Sequence, residues 1–247
     1  MAGHNKWSKI KRKKAANDSK KGANFSKLSR ELQVATREGG PDPAANLRLR
    51  LAIDRARREG MPNDTIERAI QRASGANTDA GSFETVVYEG YGPGGVAILA
   101  IALTDNRNRT AAEVRNAFNR NGGSLGETGS VAWQFETVGQ IVIPVNGADP
   151  DEIALVAIDA GATDVEPDED EIVITTAPAD LTAVANTLRE AGYELTEMNI
   201  TRLPQTPVDL EPSQAGTALR LLETLEELDD INEVYTNANF AEEAAAV

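Results

Sequence analysis

Residues 139–203 read GQIVIPVNGADPDEIALVAIDAGATDVEPDEDEIVITTAPADLTAVANTLREAGYELTEMNITRL. Ile141–Val145 is an apolar run of strand length, and Asp149–Gly161 carries apolar residues at helical spacing. Asp164–Glu166 and Ile172–Thr175 form a hairpin about the acidic turn Pro167–Glu171. Asp180–Gly192 is a second helix, and Glu194–Leu203 closes with a strand. The order β-α-β-β-α-β is that of a ferredoxin-like split sandwich.

Upstream the signals are also strands. Glu84–Tyr91 and Gly95–Thr104 flank Gly92-Pro93-Gly94, a turn composition. That glycine cluster is no phosphate loop, because it lacks the Gly-Lys-Ser/Thr ending and leads into a strand. Asp105 to Thr110 opens a helix carrying Val114, Ala117 and Phe118, which Gly122-Gly123 closes; Ser130–Phe135 reads as a third strand. Downstream, Pro204, Pro207 and Pro212 lead to a helix over Ser213–Leu228, with Ala218, Leu221, Leu222, Leu225 and Leu228 inward, then a short strand at Val234-Tyr235. The segment before residue 137 lacks one helix and one strand for the same architecture, and the C-terminus supplies them.

The first third is helical after an unpatterned start. Phe25, Leu28, Leu32 and Ala35 recur at helical spacing from a cap at Asn24 to Gly39-Gly40. Asp42-Pro43 starts a second helix with Leu47, Leu51 and Ala56 inward, and Gly60 ends it. Asn63 or Asp64 caps a third, with Ile66, Ala69, Ile70 and Ala73 inward before Gly75. The expected fold is thus multidomain α+β. A basic arm and three-helix bundle (1–78) precede two ferredoxin-like α/β sandwich domains, one (138–203) inserted in the other (79–137 with 204–247).

Charge is distributed by region. Residues 1–75 hold 18 basic and 8 acidic residues, a net +10; residues 76–247 hold 7 arginines and 31 acids, a net −24. The overall pI of 4.6 therefore hides a basic third suited to a polyanion. There is no cysteine, which fits a reducing cytoplasm and excludes disulfide and thiolate chemistry. No apolar run reaches the roughly 20 residues of a membrane span.

All eight lysines lie between Lys6 and Lys27. Lys6, Lys9, Lys11, Arg12, Lys13, Lys14, Lys20, Lys21 and Lys27 form the arm's candidate contacts, and Arg48, Arg55 and Arg58 those of the second helix. Trp7 suits either stacking on an unpaired base or latching the arm to the bundle. Arg107, Arg109, Arg115 and Arg120 lie within fourteen residues. The first two flank a helix N-terminus that favours an anion; Arg107, Arg109 and Arg115 are candidate phosphate contacts, and the alternative is pairing with acids such as Asp105 and Glu113. Few side chains suit base-edge reading, so binding should be electrostatic and steep in salt. The run Asp168 to Glu171 lacks the spacing of a calcium loop and reads as a solvated turn. No metal, cofactor, small-molecule substrate or catalytic constellation is indicated. His4, the single histidine, has no partner pattern.

The blocks Met-Ala-Gly-His-x-Lys-Trp (1–7), Tyr-Glu-Gly-Tyr-Gly-Pro-Gly-Gly (88–95), Leu-Thr-Asp-Asn-Arg-Asn-Arg-Thr (103–110), Gly-x-x-Gly-Ser-Val (126–131) and Leu-Asp-Asp-x-x-x-Val-Tyr (228–235) resemble the signature blocks of the YebC/PmpR family, over essentially the full length. The chain departs from the family's pattern at Ile101, where members commonly carry glutamate, and at Thr137-Val138, where they carry lysine. The resemblance implies a cytoplasmic, non-enzymatic, three-domain protein with a helical first domain and two α/β domains. Separately, a monomer is expected. It implies DNA-binding transcriptional regulation, or, as some members are described, translation factor action on ribosomal RNA where proline runs stall synthesis.

Overall fold

The computed structural model describes residues 21–75, 83–147, 149–168 and 170–240. The chain is multidomain α+β, with a helical region followed by antiparallel sheets and helices. It divides into two compact units, one of Phe135–Leu203 and one of the residues before and after that segment.

In the larger unit, α1 (Lys21–Gly39), α2 (Leu47–Arg58) and α3 (Asn63–Ser74) form the bundle. Its core is Leu28, Leu32, Ala35, Leu49, Ala52, Ile53, Ala56, Met61, Ile66 and Ala69. Helix α2 starts four residues later than Asp42-Pro43 suggests. Asp42 instead takes the Ala44 N–H in a turn, and Asn46 is the cap, accepting from Leu49 N at 3.0 Å. The buried Asn46 amide also donates to the carbonyls of Ala35 and Gly40, at 2.7 and 2.8 Å, and so ties the end of α1 to the start of α2. The later start rotates the inner face. Leu49 and Ile53 are buried, whereas Leu47 and Leu51 are half-exposed.

Next, β1 (Glu84–Tyr91) and β2 (Ala97–Thr104) pair antiparallel along their full lengths, from Glu84↔Thr104 to Tyr91↔Ala97. After α4 (Arg107–Arg120), β3 (Ser124–Leu125) adds to the far side of β1. Gly90 permits this, because a side chain there would come within 2.6 Å of the Ser124 carbonyl and 2.7 Å of the Phe118 ring. Ser130–Phe135 is no strand: it holds a bend and a 3-10 turn (Ala132–Gln134) before β4 begins.

The smaller unit runs β4 (Phe135–Pro144), α5 (Pro150–Asp159), β5 (Ala162–Pro167), β6 (Glu171–Thr176), α6 (Leu181–Glu190) and β7 (Glu197–Pro204). Asp149 caps α5 through Asp151 N at 3.0 Å. The sheet order β5-β6-β4-β7, with β6 antiparallel to both neighbours, is the split β-α-β arrangement. Ile141, Ile143, Ile153, Ile172, Ile174, Leu181 and Leu188 fill its interior.

The chain then returns through β8 (Val208–Asp209), α7 (Pro212–Glu227), β9 (Ile231–Thr236) and β10 (Ala238–Asn239). Strand β9 pairs antiparallel with β2, giving a sheet ordered β3-β1-β2-β9, while β10 and β8 pair parallel. This sheet also has four strands and two helices, yet its hairpin strands both lie centrally, an order different from the inserted unit's. Helices α4 and α7 cover one face through Val114, Phe118, Ala218, Leu221 and Leu225 against Ile98, Ala100 and Ala102. Helix α1 crosses the opposite face, touching β2 and β9.

Candidate nucleic-acid interface

Seven of the arm's nine basic candidates (Lys6, Lys9, Lys11, Arg12, Lys13, Lys14 and Lys20), and Trp7 with them, lie outside the described residues. Lys21 opens α1. The Lys27 ammonium donates to the Glu226 carbonyl at the junction of bundle and sheet.

The α2 arginines divide. Arg58 is exposed, as is Arg57, whose Nε donates to Asn63 at 3.3 Å. Arg48 pairs with Glu38 at the surface. Arg55 turns inward to Glu31 at 3.2 Å and Glu233 of β9 at 3.5 Å. Burial pushes the Glu31 carboxyl up and Arg55 opposes this, while Glu31 in turn raises the guanidinium. Arg55 therefore fastens the bundle to the sheet and is taken up by carboxylates. Arg37, Arg68 and Arg72, which the sequence reading passed over, are exposed on the bundle with Arg57 and Arg58. Beside Arg55, a cavity of about 120 Å³ is lined by Asn24, Lys27, Leu28, Glu226, Ile231 and Asn232. That is well short of the roughly 300 Å³ at which small-molecule sites begin.

The Asp105–Thr110 block folds around a residue that sequence reasoning gave no role, Asp230. Its carboxylate is 4% exposed. Oδ2 accepts from Arg109 Nη2 at 2.6 Å, Thr110 Oγ1 at 2.7 Å and Thr104 Oγ1 at 3.1 Å. Oδ1 accepts from Arg30 of α1 at 3.3 Å, and Arg30 also donates to the Asp229 carbonyl. The Arg30 guanidinium lies 5.5 Å over the Phe83 ring. Burial pushes the Asp230 carboxyl up, but the bonds from Arg109, Thr110 and Thr104 outweigh it and hold it below its ordinary value. Thr104 also accepts from Asn106 N at 2.9 Å, and Asn106 caps α4 through Arg109 N at 3.1 Å.

Arg107 and Arg109 thus meet acids, but Glu84, Asp105 and Asp230 are the partners and Glu113 is not. Arg107 forms a fork with Glu84 at 2.5 and 2.7 Å, and Arg109 reaches Asp105 at 3.0 Å. Both guanidinium pKa values are raised, Arg107 by Glu84 and Arg109 by Asp230 and then Asp105. Arg115 and Arg120 are exposed on the outer side of α4. The signal for Asp230 was present: two signature blocks about 120 residues apart, one rich in hydroxyls and arginine, the other in aspartate.

Glu89 is the second unforeseen anchor. It is 4% exposed, and its carboxylate accepts from Gly129 N at 2.6 Å, Val131 N at 2.8 Å and Ala132 N at 2.7 Å. Three donors spent on one carboxylate are why Ser-Val-Ala-Trp fails to pair as a strand. Gly129 at φ +88° lets the turn close. The turn presents Trp133, 69% exposed, and its Ser130 carbonyl accepts from both the Trp133 indole and the Tyr91 hydroxyl of β1.

Among the described residues no group of His, Cys, Asp and Glu is placed to hold a metal ion, and no helix is long and apolar enough to cross a membrane.

A helical bundle fastened to one face of an α/β sheet by partly buried ion pairs, with a second α/β unit inserted in the chain that forms the sheet, defines the class of fold. Models of one family match it along nearly its whole length. The TACO1/YebC protein N-terminal domain matches residues 5–76, and the TACO1/YebC second and third domain matches residues 83–238. The chain belongs to the TACO1/YebC family. A relative in Thermomicrobium roseum is 65% identical over 98% of each chain, and one in Rubrobacter xylanophilus 48% identical over 100% of this chain and 98% of its own. Both are named "Probable transcriptional regulatory protein". The crystal structure of a conserved hypothetical protein from Aquifex aeolicus matches with a TM-score of 0.83 at 43% identity, covering 91% of this chain and 93% of that one.

Proposed function

We propose that this protein is a cytoplasmic, nucleic-acid-binding regulator of gene expression that acts on DNA to control transcription. The observation that carries the reading is the segregation of charge, +10 in residues 1–75 against −24 in the remainder. A polyanion is drawn to the first and repelled by the second, so the molecule binds in one orientation. The basic arm, Arg58 and the exposed bundle arginines make the main phosphate contacts, and Arg115 adds one from α4. Arg55, Arg107 and Arg109 hold the fold of this surface through their carboxylates. The names of the relatives support a regulatory role.

A second reading is supported by the acidic body and the scarcity of base-reading side chains. The same basic pole would engage ribosomal RNA, with the protein acting as a translation factor that relieves stalling. Sedimentation of lysate on a sucrose gradient, beside gel shifts on promoter DNA across salt, separates the two. The transcription reading expects protein in the top fractions and site-selective shifts. Co-migration with ribosomes, with only salt-sensitive and unselective DNA binding, would reverse the choice.

A further inference from the structure

The inserted unit is the most one-sided part of the molecule: residues 135–203 contain 15 acids and two arginines, a net −13. Such a body repels nucleic acid, so it needs a different partner or none. Most of its acids are explained as a solvated surface. One helix is not.

Helix α5 buries Ile153 and Ala157 against its own sheet. At 100° per residue the opposite side is a single stripe of Asp151, Glu152, Leu155, Ile158 and Asp159, every one of them exposed. Leu155 is 63% exposed and Ile158 57%. Single exposed apolar residues are ordinary, but these two stand one turn apart on the same line. Acids close both ends of the apolar pair. Asp151 and Glu152 suit the positive N-terminal end of the helix, which accounts for them without a partner. Asp159 does not: it sits in the last turn, where the dipole disfavours an anion, and α5 contains no cation to offset it.

We propose that this face of α5 docks a basic protein segment, one rich in lysine or arginine that also presents a pair of apolar side chains. The apolar pair supplies the anchor, and the acids at its two ends with the −13 surround set the sign of the partner and speed its approach. This inference is independent of which nucleic acid the basic pole binds, because the two surfaces carry opposite charge.

The test uses the full chain and fluorescence anisotropy of a labelled lysine-rich helical peptide carrying two leucines one turn apart. Its control has serine at both leucine positions. L155S/I158S should weaken the leucine peptide about tenfold or more while leaving the serine peptide unchanged. D151N/D159N should weaken both peptides and flatten their salt dependence. Both variants change only exposed side chains, and in D151N/D159N the favourable charge lost at the N-terminal end of α5 is offset by the unfavourable one lost from its last turn, so both melting curves should stay close to the wild type and polyanion affinity should not fall. Equal binding of the leucine peptide to wild type and L155S/I158S overturns the proposal. So does a wild-type dimer in sedimentation that L155S/I158S dissociates, since a second copy would then occupy the face. Competition for the face by duplex DNA would contradict it as well.

Discussion

Asp230→Ala is expected to destabilise the larger unit by about 4 kcal/mol, lowering its thermal midpoint by roughly 10 °C. One buried carboxylate there gathers Arg109, Thr110 and Thr104 from the β2–α4 corner and Arg30 from α1. Its removal takes the Thr104 hydroxyl's acceptor and leaves Thr110 only the Asn106 carbonyl and Thr104, and Arg109 only Asp105, and it loosens the bundle from the sheet in the same step. Asp230→Asn keeps the shape but loses the charge, and should cost about half as much. The pH dependence follows from the lowered pKa. A carboxyl held below its ordinary value of 3.8 contributes stability at higher pH and loses it as pH falls through the folded value. The gap between wild type and Asp230→Ala should therefore be full at neutral pH and close in acid. Urea unfolding at neutral pH and below pH 4 measures both; a gap that does not change with pH would show that Asp230 is not ionised in the network.

Glu89→Ala should cost about 3 kcal/mol, because it strands three backbone N–H groups under the turn that ends in Trp133. The effect should be local at first. Hydrogen exchange at Gly129, Val131 and Ala132 should accelerate well before the α4 and α7 core opens. Trp133 fluorescence is a second readout, since its indole N–H is held on the Ser130 carbonyl of that turn. Unchanged exchange at these three amides would mean that the turn is held by something other than Glu89.

What could be read in the sequence was whatever repeats with a period. The β-α-β-β-α-β segment keeps its apolar spacing, so its strands and helices were found to within a few residues, except that β4 begins at Phe135, six residues before Ile141. The missing helix and strand of the larger sheet were legible in Leu221, Leu222, Leu225 and Val234 for the same reason. Local chemistry that competes for backbone donors was not legible. Asp42-Pro43 has the form of a helix start, but Asn46 caps α2 because it can also bond the end of α1, a tertiary choice. Ser130–Phe135 alternates like a strand, but the Glu89 carboxylate takes the N–H groups of Val131 and Ala132. Charge was legible as a regional sum and illegible as pairs. Nothing in the spacing of Arg55 distinguishes it from Arg58, yet only Arg55 faces Glu31 and Glu233. The composition of the arm located the positive pole, and the folded bundle adds Arg37, Arg68 and Arg72 to it.

The central claim is that the basic first third binds nucleic acid through its phosphates. Its most direct test is the slope of log affinity against log salt for duplex DNA, taken with the full chain and with K11A/R12A/K13A/K14A. Each lost phosphate contact removes about 0.9 from the slope, so the variant should bind more weakly and its slope should flatten by roughly 3 to 4. An unchanged slope and affinity would contradict the account and move the polyanion contact off the arm.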